Sequence, residues 1–179
     1  MNLRDRLPRL NQIVQVFAVA CLLIYGWTTY RFLQKVPSWL FYLSNWEILM
    51  NYSQALTFNF VECLIVVGAI MGFSALLPRR IFLDLFIARG TLLTLLGVGY
   101  LIYLALAIGA SKASQFPWAI FNWSPAILLI ILLLSIGLPK VPVVQKVLEE
   151  FADRTTVFLY ILLPLSGLGI LAFAIDNLF

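Results

Sequence analysis

Residues 56–77 form a run of twenty-two in which a single side chain, Glu62, carries charge. A helix needs about 20 mostly apolar residues to cross about 30 Å of hydrocarbon. A soluble amphipathic helix would interrupt such a run with a polar face. Runs of the same kind cover residues 13–32, 91–110 and 156–175, and a less regular one covers 118–138. Their apolar stretches are continuous. A transmembrane barrel would instead alternate apolar and polar residues, so helices are expected. The expected fold is all-α: a polytopic membrane helix bundle of five transmembrane helices in one domain over residues 1–179, with two interfacial amphipathic helices.

Composition excludes the main alternatives. The chain is 63% apolar and 11% charged, with a mean hydropathy of +0.99. Soluble domains carry about 25% charged residues. A soluble globule of this composition would expose apolar patches well above the few hundred Å² that monomers tolerate. A soluble fold, a disordered chain and a nucleic-acid-binding domain are all poor fits.

The basic residues give the expected orientation. Arg4, Arg6 and Arg9 precede the first span; Arg79, Arg80 and Arg89 lie near the second connection; Lys140, Lys146 and Arg154 lie near the fourth. The opposite side has Arg31, Lys35 and Lys112. Cationic residues concentrate in cytoplasmic loops. The N-terminus is therefore expected in the cytoplasm, and five crossings place the C-terminus outside a plasma or inner membrane. Arg79, Arg80, Lys140 and Lys146 are then expected to meet anionic lipid, since basic residues at the inner surface are attracted to it. The first span resembles a signal peptide in its basic start and in Ala18–Cys21. Its apolar run continues to Trp27, so a retained span is expected.

Two connections carry their own pattern. Val36, Pro37 and Ser38 offer a helix start, and the aromatic-rich stretch that follows suggests an outer interfacial helix over 38–52. Pro142 suits a first helical position. Beyond it Val143, Val144, Val147, Leu148 and Phe151 recur at helical spacing, with Glu150 and Arg154 as an i,i+4 pair. An inner surface helix over 142–154 is expected.

Small residues point to close helix packing. Gly68 and Gly72 form one GxxxG pair, and Ala105 and Gly109 a similar small pair. Pro164, with Ser166, Gly167 and Gly169, is expected to bend the last span.

Chemistry is sparse. There is no histidine, which removes the commonest metal ligand and near-neutral acid–base group. Cys21 and Cys63 fall inside apolar runs and are expected at different depths, without a disulfide. No phosphate-binding loop, nucleophile elbow or carboxylate cage appears, so no metal and no cofactor is expected.

Glu62 is the one acidic residue inside a clear span. Measured from Leu77 at 1.5 Å per residue, it stands about 22 Å from the inner boundary, hence about 8 Å below the outer one. Ser124 and Pro125 read as an N-cap and first helical position, which starts or breaks the fourth helix at the same depth. An ionisable residue within the membrane is a candidate site. The expected pocket comprises Glu62, Asn59, Asn122 and Ser124, opening outward beneath the aromatic interfacial helix. The expected function is that of a non-enzymatic accessory or scaffold component of a membrane complex, acting with a membrane protein partner or as a homo-oligomer. A small transporter or channel subunit, or a lipid-headgroup-binding protein, is the alternative.

Overall fold

The computed structural model describes residues 8–78, 82–110 and 118–178. The described residues are helical, and no strand occurs among them. Helix α1 covers Leu10–Trp39, α2 Asn45–Leu76, α3 Phe86–Ala110, α4 Trp118–Gly137, α5 Pro142–Thr155 and α6 Leu159–Leu178. Short 3-10 turns at Leu83–Leu85, Leu138–Lys140 and Thr156–Phe158 lead into or out of them. Five helical segments are long and apolar enough to cross a membrane, as the five apolar runs imply.

The first two helices are longer than their apolar runs, at 30 and 32 residues. No separate helix forms over 38–52, contrary to the expectation for that stretch. Residues 40–44 make the turn, and Asn45 to Tyr52 belong to the first turns of α2. The cause is local. Ser38 does not cap a helix; its hydroxyl donates to the Lys35 carbonyl at 2.9 Å. Ser44 caps instead: its Oγ accepts from the Glu47 N–H at 3.3 Å, while Glu47 Oε2 receives the Ser44 N–H at 2.7 Å. This reciprocal box satisfies two donors that a helix start leaves free.

The fourth helix does not break either. It runs unbroken through Pro125. Ser124 is an interior residue whose hydroxyl donates to the Ile120 carbonyl at 3.0 Å, the back-bonding geometry of serine within a helix.

Helices α1 and α2 form an antiparallel pair at the centre. Helix α6 packs on α2, α3 packs on α1, and α4 packs chiefly on α3. Helix α5 lies across the ends of α1 and α3 and is tied there by Gln15, whose Nε2 donates to Asp153 Oδ1 at 3.1 Å. The expected helix over 142–154 is thus present as α5, one residue longer. Its apolar stripe divides: Leu148, Ala152 and Thr155 are buried in the bundle, whereas Val143 and Val147 stay exposed. Glu150 pairs with Lys146 at 3.9 Å, not with Arg154.

Polar groups pin the central helices in register. Tyr25 hydrogen-bonds Ser166 of α6 and donates to the Leu56 carbonyl of α2 at 3.3 Å. The Thr28 hydroxyl donates to Asn59 Oδ1 at 2.9 Å, and Thr29 Oγ1 lies 3.0 Å from Tyr52 Oη. Cys21 and Cys63 do not lie at different depths. Antiparallel pairing brings both thiols into one buried cluster, where they remain free.

The closest helix approaches involve other glycines than expected. A Cβ placed on Gly169 would stand 2.9 Å from the Ser53 carbonyl oxygen of α2, and one on Gly90 would stand 2.9 Å from Val16 Cγ2. By contrast, a Cβ on Gly68, Gly72 or Gly109 meets nothing within 4 Å. Those three glycines and Ala105 are exposed. No described neighbour packs closely on Gly68, Gly72 or Gly109 within this bundle.

Candidate functional site

Helices α2 and α3 both lean on α1 but make few contacts with each other. The gap between them is a groove of about 320 Å³. Its floor is Ile24, Trp27 and Thr28 of α1. One wall is Glu62, Ile65 and Val66 of α2, and the other is Val98, Leu101, Ile102 and Ala105 of α3. The lining is apolar except at Thr28 and Glu62.

Glu62 is exposed and makes no hydrogen bond or ion pair among the described residues. Helix geometry explains the exposure. At about 100° per residue, Phe58, Val61, Glu62, Ile65, Gly68, Ala69, Gly72 and Leu76 share one face of α2. The opposite face carries the buried Leu56, Asn59, Cys63, Val67, Ile70 and Ser74. Fourteen residues, about 21 Å of helix, separate Glu62 from the Leu76 end.

Asn59 is 3% exposed and turned toward α1, where it accepts from Thr28. Its Nδ2 is buried without a partner. Thr28 also lines the groove, so the groove's polar spot consists of the Thr28 hydroxyl and the Glu62 carboxylate. Arg31 is the nearest basic residue along α1. Its guanidinium sits 5.7 Å from the centroid of the Trp27 ring, a cation–π arrangement, rather than on Glu62. Lys112, on the other side of the sequence-expected site, lies outside the described residues.

The four residues of the expected pocket are not brought together. Glu62 lines the groove, whereas Asn59 is buried against α1 and touches it only through Thr28. Ser124 lies elsewhere: its Oγ is 2.6 Å from Tyr100 Oη, and Tyr100 stands about 200° around α3 from Val98. Asn122 is exposed on α4. No interfacial helix roofs the site, because that segment is part of α2. What the residue pattern missed is the α3 wall. Its signal was Ala105, read as a packing residue, whose place beside Leu101 and Val98 follows from helical spacing.

Arg79 and Arg80, two of the expected lipid-contacting residues, lie outside the described residues. Lys140 and Lys146 are exposed at the end of the bundle occupied by α5. Among the described residues no group of three or more metal-ligating side chains occurs. No family model, curated protein or solved structure matches the chain.

Proposed function

We propose that this chain is a non-catalytic subunit of a membrane complex, and that the groove between α2 and α3 seats a transmembrane helix of a partner protein. The exposed carboxylate of Glu62, set among apolar walls, is the observation that carries this reading. A charged group within hydrocarbon is expensive unless it is paired or faces water. Among the described residues no group pairs with it, and in this reading a partner supplies the neutralising charge.

The walls favour a helix as that neighbour. Gly68, Ala69 and Gly72 continue the α2 face that Ile65 begins, and Gly109 follows Ala105 on α3. Small residues let two backbones approach closely, which is how helices associate where no hydrophobic driving force exists. A second copy of this chain is a poor occupant, because the symmetric contact would set Glu62 against Glu62, and like charges resist sharing one site. The partner is instead a different helix carrying lysine or arginine at the depth of Glu62. In this reading α5 lies at the cytoplasmic membrane surface, with Val143 and Val147 toward lipid.

Site-specific photo-crosslinking in native membranes tests the proposal. A photoreactive side chain at Leu101, on the groove wall, is expected to give one discrete adduct with another protein. The same group at Tyr160, exposed on α6, is expected to give lipid adducts only. Identical patterns from both positions would overturn the proposal. A homogeneous self-adduct from Leu101 would point to an oligomeric channel or transporter instead.

A further inference from the structure

Arg89, near the start of α3, is 3% exposed. Its Nε and Nη1 have no hydrogen-bond partner among the described residues. Burying a cation without a partner costs far more than burying a neutral polar group. Besides Asn59 Nδ2 at the groove's end of α2, three other buried side-chain atoms share the condition: Gln15 Oε1, Ser74 Oγ and Thr91 Oγ1. Arg89 and these three lie within about four residues of a single crossing, where Gly90 meets Val16 of α1 and Ile70 of α2. Gln15 precedes Val16, Ser74 follows Ile70 by four residues, and Arg89 and Thr91 flank Gly90.

The unmet demand is mainly for acceptors. A guanidinium and two hydroxyls offer donors, against the single acceptor of Gln15. Among the described residues, the carboxylates at this end are engaged or exposed. Asp153 receives Gln15 Nε2, Glu149 receives Gln145 Nε2 at 2.9 Å, and Glu150 faces Lys146. Asp84, five residues before Arg89, attracts it through space but is exposed and makes no ion-pair contact with it. Arg9, Lys140, Lys146 and Arg154 mark the same end of the bundle, so the local field favours an anion. Basic sites between helices on the cytoplasmic side bind anionic lipid headgroups, and the planar fork of arginine matches phosphate oxygens two at a time.

We infer that Arg89 is the centre of a phosphate-binding site at the inner end of the helix bundle, with Ser74 as an accessory donor. The site is independent of the groove at Glu62. An anionic phospholipid headgroup and free inorganic phosphate share this chemistry.

Reconstitution of the full chain into nanodiscs separates the two sources and tests the site. Phosphatidylglycerol in phosphatidylcholine discs is expected to raise the melting midpoint by at least about 3 °C over pure phosphatidylcholine. Arg89→Gln should abolish the shift, and Lys35→Gln, an exposed control near the opposite end of α1, should keep it. If inorganic phosphate in phosphatidylcholine discs reproduces an Arg89-dependent shift, the site stands and its ligand is the free anion. A shift that survives Arg89→Gln, or no shift with either anion, overturns the inference and leaves Arg89 satisfied by water. Should Arg89→Gln fail to fold, the wild-type chain decides. Photoactivatable phosphatidylglycerol is expected to label residues 83–93 about fivefold more than its phosphatidylcholine counterpart, and equal labelling overturns the site.

Discussion

Gly169→Val is expected to destabilise the bundle by about 3 kcal/mol or more, enough to abolish a monodisperse folded chain in mild detergent. The reason is the α2–α6 crossing. A Cβ at Gly169 lies 2.9 Å from the Ser53 carbonyl oxygen and 3.3 Å from Leu56 Cβ. The first is backbone inside a helix and also accepts the Thr57 hydroxyl at 3.1 Å. Neither atom can swing aside as a side-chain tip would. Moving α6 outward would also pull Ser166 from Tyr25, three residues away. Gly169→Ala should cost about 1–3 kcal/mol. Gly68→Ala and Gly72→Ala, which meet nothing within 4 Å, should leave the melting midpoint of the isolated chain unchanged. Thermal unfolding of the four variants checks the series. Equal midpoints for Gly169→Val and wild type would show that the α2–α6 crossing is misplaced.

Glu62→Lys is expected to leave the isolated chain folded and to remove the proposed partner. Glu62 is exposed and has no bonded neighbour among the described residues, so its replacement breaks nothing described inside the bundle. Against a partner's lysine or arginine, however, the change turns an attraction into a repulsion at low dielectric. Truncating one member of a buried charge pair costs about 2–5 kcal/mol, and reversal costs more than truncation. Association should therefore fall by at least about 100-fold. The Leu101 adduct should disappear, while the melting midpoint in detergent stays within about 2 °C of wild type. Glu62→Gln keeps the shape and a hydrogen-bonding group, so it should retain part of the adduct. An undiminished Leu101 adduct from Glu62→Lys contradicts a role for the carboxylate in docking.

Length and hydropathy made the helices legible, because a run of about 20 apolar residues has few other fates. Their ends were less so. Pro37–Ser38 and Ser44–Glu47 both carry start signals, and the reciprocal bonds of the second box decide between them. Pro125 resembled a helix start, yet proline within a long helix is tolerated when the flanking turns hold, as the Ser124 hydroxyl helps them to do. The site was half legible. Glu62 stood out as a lone charge, and Asn59 three residues earlier as its neighbour. Which face of α2 would be covered depends on contacts between distant segments. Periodicity names the faces but not their occupants. The same limit applies to the glycines: spacing singled out Gly68 and Gly72, whereas Gly169 owes its role to where α6 crosses α2. Cys21 and Cys63 show it again, since only the register of the α1–α2 hairpin brings them together.

Five crossings with the basic end in the cytoplasm is the premise behind every depth assigned to Glu62 and Arg89. Helices α1 and α6 both run antiparallel to α2, with Tyr25 and Ser166 meeting near Leu56, so the start of α1 and the end of α6 lie at opposite ends of the bundle. Compartment-specific reporters fused separately to the two termini measure this directly. An N-terminal reporter active only in the cytoplasm, with a C-terminal reporter active only outside, is the expected result. Activity of both in a single compartment would contradict it, and the lipid-embedded position of Glu62 would fall with it.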